Sequence, residues 1–104
     1  MGASFIRDIE PGEVIRIKKG NLLSMKYTDA TKHAMCAMEY IYFSRPDSIL
    51  EGINVHSSRK LAGEQLYKEA PVDADLVIGV PDSSISAAIG YAEASHIPHE
   101  MGLV

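Results

Sequence analysis

The stretch Asp75-Leu-Val-Ile-Gly-Val-Pro-Asp-Ser-Ser-Ile-Ser-Ala-Ala-Ile-Gly-Tyr-Ala92 changes character in its middle. Asp75 to Val80 is a short apolar run of the kind that forms a buried parallel strand. Pro81-Asp82-Ser83 is a turn. Ser84 to about Ser95 places Ile85, Ala88, Ile89 and Ala92 at helical spacing, so a helix packed closely on a sheet is predicted. Ile97-Pro98 then opens a new extended segment. Upstream, Ala62, Leu66 and Ala70 recur every four residues with Val55 two turns earlier, which predicts an amphipathic helix from Asn54 to about Ala70. Asn54 is its expected N-cap, Glu64 and Lys68 form an i,i+4 pair, and Pro71 ends it. The order helix–strand–helix–strand is the start of an α/β domain with a parallel sheet.

The first third reads differently. Glu13 to Ile17 and Leu22 to Tyr27 flank Lys18-Lys-Gly-Asn21, a turn signal, and predict a β-hairpin. A lone hairpin is marginal in water. Thr28 to His33 is a polar connector. Met35 to Phe43 is apolar and aromatic around Glu39, and a buried strand is expected there. A buried carboxylate needs a partner, so Arg45 or a backbone donor is expected beside Glu39.

Bulk composition narrows the function classes. The chain has 104 residues, 46% of them apolar and 23% charged, as in ordinary globular proteins. A net charge of −4 argues against a general binder of nucleic acid or anionic membrane. No apolar run approaches the roughly 20 residues that span a bilayer, and no secretory signal is read at the start. The single cysteine, Cys36, excludes an intrachain disulfide and points to a reducing, cytoplasmic setting. By itself Cys36 reads as a small buried hydrophobe, and the four histidines as surface or packing residues.

Pro81-Asp82-Ser83-Ser84 lies at the carboxyl end of the expected strand, where open α/β sheets bind ligands. The next helix would offer free N–H groups to an anion. Asp82 and the hydroxyls of Ser83, Ser84 and Ser86 are hard oxygen donors suited to Mg²⁺. The same Asp-Ser-Ser pattern is what ordinary N-capping looks like, and the local pattern alone favours capping.

Two blocks go further. Cys36-Ala-Met-Glu-Tyr-Ile-Tyr-Phe-Ser-Arg-Pro-Asp-Ser48 and Gly79-Val-Pro-Asp-Ser-Ser-Ile-Ser-Ala-Ala-Ile-Gly90 together resemble the glutamine phosphoribosylpyrophosphate amidotransferase (amidophosphoribosyltransferase) family. Phe5 to Glu13 resembles the closing strands of that family's glutaminase domain. Gly52-Ile-Asn-Val55 and Arg59 resemble the start of its first phosphoribosyltransferase helix. The resemblance implies an α/β fold: an N-terminal β-hairpin that ends an Ntn-type glutaminase domain, then the first βα units of a type I phosphoribosyltransferase parallel sheet. It implies glutaminase strands over 1–28, an interdomain connector and strand over 29–45, and the start of the phosphoribosyltransferase domain over 46–104.

Enzymes of this family are transferases that make 5-phosphoribosylamine from phosphoribosylpyrophosphate and glutamine, the first committed step of purine synthesis. The resemblance implies that Ser83 is a Mg²⁺ ligand. It implies that Cys36 is one thiolate ligand of a [4Fe–4S] cluster, placing the chain in the iron–sulfur branch, and that the enzyme is a cytoplasmic homo-oligomer, a tetramer. No catalytic residue is assigned. Residue 2 is Gly rather than a nucleophilic cysteine, the acidic substrate loop is absent, and so are the other three thiolates. The chain is therefore expected to be the seam between two domains, inactive alone, loosely packed or self-associating. The competing readings are a non-catalytic α/β module that binds phosphate and Mg²⁺, and a piece that docks on complementary fragments.

Overall fold

The computed structural model describes residues 2–104. The chain divides into two compact units, Met1–Met35 and Cys36–Val104.

The first unit is built on an antiparallel hairpin. Strand β1 (Glu13–Lys18) pairs with β2 (Asn21–Lys26), Glu13 opposite Lys26 and Lys18 opposite Asn21. Lys19 and Gly20 both take positive φ, 49° and 78°. Two such residues form the tight turn whose twist matches that of paired strands. Pairing leaves Ile17 72% and Met25 56% exposed, so the hairpin has register without a core. A polar knot tethers its entry. Arg7 donates to both carboxylate oxygens of Glu13 at 2.5 and 2.8 Å, the backbone N–H of Glu10 donates to Glu13 at 2.8 Å, and the Ser24 hydroxyl donates to it as well. These donors hold the Glu13 carboxyl down at about 2, with the Arg7 hydrogen bond the leading cause.

The second unit begins with a helical turn. Where the apolar run from Met35 to Phe43 predicts a buried strand, Glu39–Phe43 form one turn of π-helix, closed by Ser44 N–H to the Glu39 carbonyl at 3.2 Å. Ile41, Tyr42 and Phe43 on it are exposed. Two-residue strands β3 (Ile49–Leu50) and β4 (Ile53–Asn54) follow, reversed at Glu51-Gly52 with φ of 49° and 79°. Helix α1 (Val55–Glu69) starts directly after them. The Asn54 side chain accepts the Ser57 N–H at 3.0 Å, the expected cap.

The buried face of α1 differs from the expected one. Val55, Arg59 and Gly63 are buried, while Ala62 and Leu66 are exposed. One residue is about 100° of helix rotation, so the inward stripe sits roughly that far from the apolar one. The partner is α2 (Ile85–Ser95). A Cβ on Gly63 would lie 2.7 Å from the carbonyl carbon of Ala87, and one on Gly90 would lie 2.8 Å from that of Lys60. The backbones thus meet at two glycines, Gly63 against Ala87 and Gly90 against Lys60. His56 Nδ1 and the Ser86 hydroxyl bond across the pair at 2.9 Å, and Lys60 pairs with Glu93 at 2.7 Å. At the far end the Tyr91 hydroxyl donates to the Ala70 carbonyl and accepts the Val72 N–H, with Tyr67 edge-on at 5.3 Å.

The expected strand over Asp75–Val80 is reduced to one parallel bridge, Val77 to His99. Val77 N–H donates to the Pro98 carbonyl at 2.9 Å and Glu100 N–H to the Val77 carbonyl at 3.2 Å. A parallel strand extends when both its edges are paired, and this one is paired along a single edge. The crossover through α2 still makes a βαβ arrangement. Gly79 brings the strand against α2, where a Cβ would touch Ile85 Cα at 3.0 Å and Ala88 Cβ at 3.1 Å. Leu66, Leu76, Ile78 and Val80 remain exposed around an apolar cavity of about 580 Å³. Among the described residues only Val55 and Ala92 are buried apolar side chains, as expected for incomplete cores.

Candidate functional site

Ser83 sits in the turn that leads from Val80 into α2, as the strand–turn–helix pattern predicts. The capping reading of that turn is not what forms. Ser84 holds the N-cap position in a helical conformation and makes no side-chain cap bond; its hydroxyl donates backward to the Val80 carbonyl. Ser86 is buried on His56. Asp82 is exposed and Ser83 half-buried, and neither side chain is committed to a hydrogen bond among the described residues.

Two cavities open beside Ser83. One, about 370 Å³, is bounded by Ser44, Arg45, Arg59, Pro81, Asp82 and Ser83 among others. The second, about 300 Å³, lies between Ser83 and the Tyr40–Tyr42 turn, again with Arg59 in its wall. Two guanidiniums and three hydroxyl or carboxylate groups therefore converge on the mouth of the helix. Arg45 is bound to Asp47 through Nε at 3.0 Å and Nη2 at 3.1 Å. That fork pulls the Asp47 carboxyl below its ordinary range and pushes Arg45 up.

Glu39 takes neither of the partners expected for it. Its carboxylate accepts from the Ser44 hydroxyl at 2.6 Å, five residues on and one π-helical turn away. Arg59 does the larger job nearby, donating from Nε to the Tyr40 carbonyl at 2.5 Å and from Nη2 to that of Ser44 at 2.9 Å. Sequence reading identifies Arg59 only as part of the first helix. The signal that finds it is the i,i+4 series Val55, Arg59, Gly63, an arginine flanked by two residues of a buried face.

Cys36 is exposed with a free thiol, against the reading of it as a buried hydrophobe. It lies just before the π-helical turn, and its carbonyl accepts the Glu39 N–H at 3.1 Å. Exposure suits a thiolate that ligates a metal group, yet a four-thiolate cluster takes three more cysteines than this sequence has. Among the described residues no three His, Cys, Asp or Glu side chains gather as a metal site. Mg²⁺ makes a smaller demand, because it keeps waters and substrate phosphate oxygens and takes one or two protein ligands. The uncommitted oxygens of Asp82 and Ser83 fit that demand. No helix among the described residues is long and apolar enough to cross a membrane.

No family model matches the chain. Known proteins do match, over its full length. It is 55% identical over all 104 residues to the amidophosphoribosyltransferase of Bacillus subtilis (strain 168), covering 22% of that protein. It is 54% identical to the amidophosphoribosyltransferases of Staphylococcus aureus and Staphylococcus epidermidis, covering 21% of each. Among solved structures, glutamine phosphoribosylpyrophosphate amidotransferase from B. subtilis complexed with ADP and GMP superposes with a TM-score of 0.81 at 55% identity, over 97% of this chain and 22% of that one. A structure described as the allosteric regulatory enzyme of purine biosynthesis matches with the same figures. The chain thus spans about a fifth of the length of these relatives, and in sequence and backbone its 104 residues are similar to a section of amidophosphoribosyltransferase.

Proposed function

We propose that this chain works as part of an amidophosphoribosyltransferase, which makes 5-phosphoribosylamine from phosphoribosylpyrophosphate and glutamine at the entry to purine synthesis. The observation that carries the reading is Ser83: uncommitted, next to Asp82, at the mouth of α2 and between two cavities that share Arg59. Whole-length identity of 55% to the B. subtilis enzyme supports it. Residues 1–28 end the glutaminase domain, 29–45 connect, and 46–104 begin the phosphoribosyltransferase domain. The parent assembly is a cytoplasmic homo-oligomer, a tetramer.

In this reading Ser83 would be a protein ligand to the Mg²⁺ that accompanies the sugar pyrophosphate, and the metal would supply charge compensation for the leaving group. The chain's own contribution is binding and orientation. The N–H groups at the start of α2 favour the anion, and the guanidinium of Arg59 adds positive field at the cavity wall, whereas that of Arg45 is offset by Asp47. Cys36 would supply one of the four thiolates of a [4Fe–4S] cluster, the other three coming from elsewhere in the parent enzyme, in a structural or regulatory role.

The test is a graft. These 104 residues replace the matching fifth of the B. subtilis relative, and ammonia-dependent release of pyrophosphate from phosphoribosylpyrophosphate is followed. The graft is expected to turn over, and Ser83→Ala in it to weaken the Mg²⁺ dependence about tenfold or more. The purified 104-residue chain is expected to release none. A graft indifferent to Ser83→Ala refutes the role of Ser83, and steady turnover by the chain alone refutes the division of labour.

A further inference from the structure

Arg59 is 5% exposed, and among the described residues no carboxylate pairs with it. Its hydrogen bonds go to two carbonyls, Tyr40 and Ser44. Glu39 stands one step away, on the Ser44 hydroxyl. A buried cation facing only carbonyl dipoles is costly, and hydrophobic packing would fill the same place at less cost. The two carbonyls lie four residues apart, at the two ends of the π-helical turn. One planar fork therefore spans the turn and fixes it to α1, which Lys, a single point donor on a flexible stem, does not reproduce. The held segment is also the wall facing Ser83 in both cavities, through Tyr42 and Ser44.

We propose that Arg59 is a positioning residue for the phosphate-bearing ligand at Ser83: its fork holds the Tyr40–Ser44 turn at the spacing the anion needs, and its charge stays at the cavity wall. The proposal rests on the reading of Ser83 given above. Buried cation, spanned turn and shared cavity wall are three separate observations that converge on one side chain.

The test uses the graft in the full-length B. subtilis relative, with Mg²⁺–phosphoribosylpyrophosphate as probe. Arg59→Lys keeps the charge and loses the fork. It is expected to raise KM for phosphoribosylpyrophosphate about tenfold, the scale of one charge-assisted hydrogen bond, with kcat within about twofold. Backbone amides of residues 41–44 are expected to exchange faster with deuterium. Faster exchange with unchanged KM makes Arg59 a fold clamp only and overturns the proposal. Unchanged KM in Arg59→Lys with a raised KM in Arg59→Met assigns the effect to charge alone and also overturns it. If neither variant folds, deuterium exchange of the unsubstituted graft decides: saturating Mg²⁺–phosphoribosylpyrophosphate is expected to slow exchange at the amides of residues 41–44, and unchanged exchange there counts against the proposal. Ser83→Ala is run beside them. If it leaves KM unchanged, the Ser83 reading fails and takes this proposal with it, whereas a loss in Ser83→Ala without one in Arg59→Lys defeats the positioning role alone.

Discussion

Gly63→Ala tests the packing of the second unit because two effects oppose each other in sign. An alanine in a helix interior is about 1 kcal/mol better than glycine on propensity. Against this, the new Cβ would lie 2.7 Å from the carbonyl carbon of Ala87, 3.0 Å from its Cα, and closer still to its oxygen. Ordinary contact begins at 3.4 Å, so α2 must retreat by about 0.7 Å or more. The obstacle is backbone, which has no rotamer to move aside. Overpacking of this kind costs about 1–3 kcal/mol, and a backbone clash puts it near the top of that range, for a net loss of about 2 kcal/mol. The retreat also stretches the His56–Ser86 bond, now 2.9 Å. Urea unfolding followed by far-ultraviolet circular dichroism reads the difference. Gly90→Ala, which meets Lys60 in the same way, should lose a similar amount. The double variant should lose less than the sum, because one opening of the crossing serves both methyl groups. A Gly63→Ala chain more stable than its parent by about the propensity gain would refute the close crossing.

Two further outcomes follow from local contacts. Glu13 is held at about 2 by Arg7, Ser24 and the Glu10 N–H, below its unfolded value near ~4.3. Its contribution to hairpin stability is therefore complete above the unfolded value and drains away as pH falls toward the folded one. A side-chain NMR titration should show the low midpoint, and Arg7→Ala should return it toward the ordinary carboxylate range; an ordinary midpoint in the unsubstituted chain would contradict the knot. Asn54→Ala removes the cap on Ser57 and should cost α1 about 1 kcal/mol, read by the same urea titration. A loss no larger than a few tenths would mean that α1 is held by α2 alone.

Elements were legible in the sequence where one local cause dominates. Asn54 before a periodic run and Pro71 after it mark α1, and Lys19-Gly20 sets the hairpin register. The inward face of α1 was not legible, because the stripe of Ala62 and Leu66 is more apolar than the one that packs. Close approach selects for absent side chains, and glycine carries no hydrophobic signal. The Tyr40–Phe43 segment misled for a related reason. Its residues favour a strand, but a distant arginine on α1 takes its carbonyls, and tertiary contacts override local preference. Ser83 was legible as a position in a turn. Its surroundings were not, since Arg45 and Arg59 reach it from separate elements. Residue type predicts burial for Cys36, whereas the thiol is exposed just ahead of the turn.

The Val77–His99 bridge joins residues on either side of α2, and this has a bearing on synthesis. The pairing of α1 with α2 needs nothing beyond Ser95, so the two helices can meet before the second half of the bridge has left the ribosome's exit tunnel. Low-contact-order pieces form early, and parallel pairings wait for chain that arrives later. The nascent polypeptide thus has a docking platform ready when Pro98 emerges.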